Sequence, residues 1–64
     1  MDDQVEHRKA AGEAARVARV VRRLSQRELA QAAALEPWKL EKFERGLRPL
    51  TPAEHQRLWE ALSS

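Results

Sequence analysis

Sixty-four residues without a cysteine make one small domain, with neither disulfides nor thiolate metal sites to support it. Twelve basic against ten acidic side chains leave a net charge of +2, which excludes a strongly polyanionic or polycationic chain. No run of about 18 apolar residues is present, so no membrane-spanning helix is expected.

The charge is unevenly spread. Residues 1–15 balance to −2 and residues 49–64 to −1, whereas residues 16–48 balance to +5. A basic centre of this kind is the electrostatic footprint of a chain that docks on phosphates. Helix-forming alanine, glutamate, glutamine, arginine and leucine dominate, and strand signals are absent, which predicts an all-α fold.

The first clear helical pattern covers residues 13–23. Val17, Val20, Val21 and Leu24 fall at i, i+3, i+4 and i+7 and predict its inward face, with Arg16, Arg19, Arg22 and Arg23 around it. The pattern extends backward through Val5 and the alanines at 10, 11, 14 and 15, but Gly12 weakens it. Residues 1–12 are therefore set apart as an N-terminal extension, flexible or helical, before a domain at 13–64. The N-terminus has acids and no apolar stretch, so it is not a signal peptide, and a soluble, cytoplasmic protein is expected.

Ser25 followed by Glu28 is a capping box opening a second helix, with Leu29, Ala32 and Ala33 expected inward and an end near Ala33 or Ala34. Pro37 suits the first turn of a third helix, because it lacks an N–H that would go unpaired there. Leu40 and Phe43 point inward from it, and Gly46 stops it. Arg48, Pro49 and Leu50 connect to a second capping box, Thr51-Pro52-Ala53-Glu54. The last helix carries Leu58, Trp59 and Leu62 on its apolar side. His55 takes a staple-like packing position after Leu50. Four helices with tight connections result. Met1 and the closing Ser63-Ser64 set the expectation of a complete chain.

Leu24-Ser25-Gln26, Glu28-Leu29-Ala30-Gln31, then Leu40, Phe43, Glu44 and Gly46 resemble the helix-turn-helix of the lambda-repressor-like family, which includes phage repressors and Cro proteins. The similarity runs over roughly residues 14–62 and extends into the connector Arg48-Pro49-Leu50-Thr51-Pro52. It implies a compact four-helix domain with a central helix-turn-helix. It also implies an ion pair between Arg19 and Glu44, and a phosphate contact from Gln26 beside Arg27. A recognition helix at about 37–45 would enter the major groove. Pro37, Trp38, Lys39, Glu41, Lys42 and Arg45, with Arg48 following, would face DNA, and Lys42 is the foremost candidate for guanine readout.

The chain departs from the family pattern at Ala34, where a turn glycine is usual, and at Glu36, where serine or threonine usually caps the recognition helix. Pro37 and Trp38 stand where base-reading residues are typically polar. A fifth helix, often used for dimer contacts, has no room after Leu62.

Trp38 has three readings: a ring folded back over Pro37 or a neighbouring helix to shield the core, an apolar contact to a thymine methyl or sugar edge, or an anchor for a protein partner. Trp59 is core or dimer interface, and with Leu62 it marks the expected homodimer surface. The function these features imply is a sequence-specific double-stranded DNA-binding regulator, a repressor acting as a dimer on a palindromic operator. A protein-interaction module on the same fold is the alternative, and a domain from a longer regulator a further one. No cofactor or metal is expected, since His7 and His55 lie far apart. Nor is an enzyme, because no nucleophile–base pair, phosphate-cradling loop or carboxylate pair is evident.

Overall fold

The computed structural model describes residues 3–64, with side chains from His7 onward. The chain is all-helical: α1 spans Asp3–Val21, α2 Gln26–Ala32, α3 Pro37–Glu44 and α4 Pro52–Ser63. Val5, in the backward extension of the first apolar pattern, has its side chain outside the described residues.

Two helices start where local chemistry directs. Ser25 Oγ accepts the Glu28 N–H at 3.0 Å, while the Ser25 N–H donates to Glu28 Oε1 at 2.8 Å. Thr51 and Glu54 repeat the exchange at 3.2 and 2.9 Å. Each box satisfies donors that the first helical turn leaves without partners. The cap backbone N–H is the main reason that the carboxyls of Glu28 and Glu54 both titrate below their ordinary range.

Three helices stop in one way. Each ends in a residue with positive φ: Arg23 at 59° after α1, Ala34 at 55° after α2 and Gly46 at 76° after α3. In each, the next residue is a leucine whose N–H bonds back five residues: Leu24 to Arg19 O at 3.2 Å, Leu35 to Ala30 O at 2.8 Å and Leu47 to Lys42 O at 2.9 Å. These are Schellman caps. Only the third has the glycine the conformation favours, and a Cβ in the left-handed region costs about 1–2 kcal/mol. Ala34 is exposed, so removing its methyl group sacrifices little burial. Ala34→Gly is therefore expected to stabilise the fold by about 1 kcal/mol after the unfolded-state entropy of glycine is allowed for. Urea titration would register this as a higher midpoint at unchanged slope, and a lower midpoint would refute it.

The core gathers Ala15, Leu29, Ala30, Ala33, Leu35, Leu40, Phe43, Leu50, Leu58 and Leu62. His55 covers one edge of it, its ring 5.2 Å from that of Phe43 in a T-shaped contact. Two expectations are corrected. Val17, Val20 and Val21 are exposed, at 49, 53 and 72 %. The inward face of α1 consists instead of Ala11, Gly12, Ala15, Ala18 and Arg19. On α2, Ala30 is buried and Ala32 exposed.

The reason for the first reversal is close approach. A Cβ on Gly12 would lie 2.2 Å from the Phe43 carbonyl oxygen and 3.0 Å from that of Glu44. At the same crossing, a Cβ on Gly46 would meet Lys9 Cγ at 2.8 Å and Cα at 3.0 Å. Backbones this near admit only the small side of α1, so the bulky valines face out. α1 also passes unbroken through residues 12 and 13, and its N-terminal half is docked by the crossing at Lys9 and Gly12.

Candidate functional site

The site is built on α3. Its inward stripe, Leu40, Phe43 and Glu44, is buried. Trp38, Glu41, Lys42 and Arg45 follow at i, i+3, i+4 and i+7 on the other side; Glu41 is half-buried and the rest are exposed. Pro37 at the first helical position and the α2 Schellman cap set where this stripe begins.

A buried polar network holds α3 against its neighbours. Arg19 grips Glu44 with two bonds, Nε to Oε2 at 2.8 Å and Nη2 to Oε1 at 3.0 Å. The third guanidinium nitrogen of Arg19, Nη1, donates to the Leu24 carbonyl at 2.8 Å. Gln26 Nε2 donates to Glu44 Oε1 at 3.0 Å. The side chain of Glu44 is only 2 % exposed and that of Arg19 14 %. The bidentate geometry and the extra donors are what make a desolvated carboxylate tolerable. The network therefore joins the last turn of α1, the first turn of α2 and the last turn of α3.

Gln26 is thus turned toward Glu44. Its amide nitrogen carries two hydrogens, so one remains for an outside acceptor. Lys39 points back to Glu54 of α4 at 3.4 Å and is half-buried, which makes it a brace between helices more than an outward group. Arg45 pairs with Glu41 at 2.9 Å, an exposed contact of the kind worth about 0–1 kcal/mol and easily exchanged for another anion. The side chains of Arg27 and Lys42 are exposed, with no hydrogen bond or ion pair among the described residues.

Trp38 stands outside the core at 47 % exposure, against the reading in which its ring seals the interior. Its indole N–H donates to the Glu36 carboxylate, so the residue at the N-cap of α3 holds a side chain and caps no backbone. The Arg48 guanidinium lies 5.1 Å from the ring centroid and Lys39 Nζ 5.8 Å, both within cation–π range. Pro37, also exposed, completes this end of the stripe.

Arg57 was not signalled by any pattern in the sequence. From α4 its Nε donates to the Ala33 carbonyl at 3.0 Å, closing the C-terminus of α2 at the turn into α3. Such a side chain-to-carbonyl contact across 24 residues has no local periodicity to betray it.

At the chain's other end, Leu62 is 1 % exposed and belongs to the core, which removes it from the expected dimer surface. Trp59 lies partly exposed along a shallow cleft with Pro52, His55, Gln56, Glu60 and Ser63. Among the described residues no cluster of three His, Asp or Glu gathers as a metal site, and no helix is long and apolar enough to cross a membrane. Compared with family models, with curated proteins and with solved structures, the chain matches none.

Proposed function

We propose that the chain is a helix-turn-helix module of the lambda-repressor-like kind that binds double-stranded DNA sequence-specifically through α3, acting in the cytoplasm as a repressor. The observation that carries this reading is the outer stripe of α3, where Lys42 and Arg45 stand exposed on a helix whose inner stripe is locked by Glu44. A helix held rigidly by its back and basic at its front meets the steric and electrostatic demands of the major groove. Arg27 and the remaining amide hydrogen of Gln26, at the start of α2, would contact phosphate, and Arg48 would extend that positive edge. Lys42, whose ammonium has no partner among the described residues, would reach guanine O6 and N7. Two copies would cover a palindromic operator with half-sites about one helical turn apart, and repression would follow from excluding polymerase.

The test is selection from a randomised duplex library, with the enriched site re-measured over a salt series. A palindrome should emerge, with log affinity falling linearly against log salt concentration. Lys42→Ala should then weaken the selected site by about 1–3 kcal/mol while leaving non-specific binding within a few-fold. Equal losses on both would take Lys42 out of base readout, and enrichment of nothing would refute the reading.

One observation favours a second function, a protein-interaction module. The Trp38 ring is exposed and braced by Arg48, and both residue types are enriched at protein-binding hot spots. The duplex selection separates the two, since a DNA reader enriches a site, which Trp38→Ala should weaken, whereas a protein-interaction module enriches none.

A further inference from the structure

The entrance to α3 carries two exposed side chains that the fold leaves without structural work. The Glu36 side chain caps no backbone N–H, and Trp38 lies outside the core. They are joined to each other instead: the indole N–H donates to Oε2 of Glu36, while Oε1 accepts no hydrogen bond among the described residues. The N–H is the only polar group of an indole, so the ring meets a ligand through apolar and π contact alone. The carboxylate, held at the rim of that ring, keeps an acceptor open beside an apolar surface.

Charge indicates what kind of molecule comes to this surface. The Arg48 guanidinium lies 5.1 Å and Lys39 Nζ 5.8 Å from the ring centroid, and exposed Lys42 follows one turn along α3. Cations gathered around an exposed ring suit a polyanion better than an apolar protein face, and they offset the negative charge that Glu36 brings to it.

We propose that this pair reads 5-methylcytosine in duplex DNA. The Trp38 ring packs on the 5-methyl group, and Glu36 Oε1 accepts from the exocyclic N4 amino group. In the major groove these two groups stand on adjacent ring atoms, C5 and C4, just as the apolar ring and the carboxylate stand side by side on the protein. The other pyrimidines match less well. Cytosine has the amino group without the methyl. Thymine has the methyl beside the O4 acceptor, which a carboxylate repels, and uracil lacks both features. The inference rests on the DNA-binding reading and gives that site its ligand class, methylated duplex DNA.

Selection from two randomised duplex libraries tests it, one built with cytosine and one with 5-methylcytosine in its place. The enriched site is then resynthesised with each of the four pyrimidines at its pyrimidine positions. At one position 5-methylcytosine should bind about fourfold more tightly than cytosine, the equivalent of one buried methyl group. It should also exceed thymine there, and thymine should exceed uracil by about the same fourfold factor. Trp38→Ala should abolish both methyl effects with helicity unchanged, because the ring lies outside the core. Glu36→Gln should reverse the order of 5-methylcytosine and thymine, since an amide can donate to O4 and a carboxylate cannot. Equal affinity for cytosine and 5-methylcytosine at every position would overturn the proposal and leave sequence-specific DNA binding standing. So would a methyl preference that survives Trp38→Ala, or a Glu36→Gln variant that shifts both bases alike. Enrichment from neither library would remove the DNA-binding reading and this proposal together.

Discussion

Arg19→Met is expected to leave the chain largely unfolded at 25 °C, seen as loss of most of its far-ultraviolet helical signal. Glu44 would remain buried with only the Gln26 amide as donor, and the Leu24 carbonyl would lose the Arg19 Nη1 bond. Removing one partner of a buried pair costs about 3–5 kcal/mol, because the survivor keeps its desolvation penalty. A single core of this size rarely supplies more than about 3–5 kcal/mol in total, so the one change consumes the whole margin. The double variant Arg19→Met with Glu44→Leu should recover much of the loss, since no charge is then stranded. A cooperative melt for Arg19→Met within a few degrees of the parent would mean that solvent reaches Glu44 and the network contributes little.

Gly12→Ala should destabilise the fold by about 2 kcal/mol, although alanine is the better helix former by about 1 kcal/mol. The new methyl group would stand 2.2 Å from the Phe43 carbonyl oxygen, which is backbone and yields only if α1 and α3 separate. Overpacking of this sort typically costs 1–3 kcal/mol or more, and it would also pull Glu44 away from Arg19. At about 4–8 °C per kcal/mol, the melting temperature should fall visibly. Ala14→Gly, on the exposed side of the same helix, should show the ordinary penalty of glycine; the two positions thus respond oppositely to the same pair of residues. An unchanged or higher melting temperature for Gly12→Ala would show that the crossing has slack.

These two sites mark what is legible in the sequence. Helix starts at Ser25 and Thr51 could be read because a capping box closes within four residues. The inner stripe of α3 could be read because Leu40 and Phe43 contrast sharply with the charged residues around them. The inner face of α1 could not. A hydrophobicity pattern selects bulky apolar residues, whereas a close helix crossing selects small ones, and Gly12 and Ala15 prevailed over Val17 and Val20. Leu62 illustrates the same gap, since periodicity names an apolar face but not which of its members remain accessible. The Arg19–Glu44 pair spans 25 residues and came from the resemblance, not from spacing. For the candidate site, exposure on α3 was legible; that Lys39 would be tied to Glu54 and Gln26 to Glu44 was not, because both partners lie on other helices.

The two stripes of α3 share no residue: Leu40, Phe43 and Glu44 hold the helix, and Trp38, Glu41, Lys42 and Arg45 present it. Mutation at the front therefore leaves the back intact, and substitutions of exposed helical positions usually stay within about 0.5 kcal/mol. A lineage carrying this chain can rewrite the outer face of α3 one residue at a time without first acquiring spare stability. Under the proposed function, divergence of specificity is decoupled from survival of the fold, which would suit the domain to duplication and retargeting, by selection or by design.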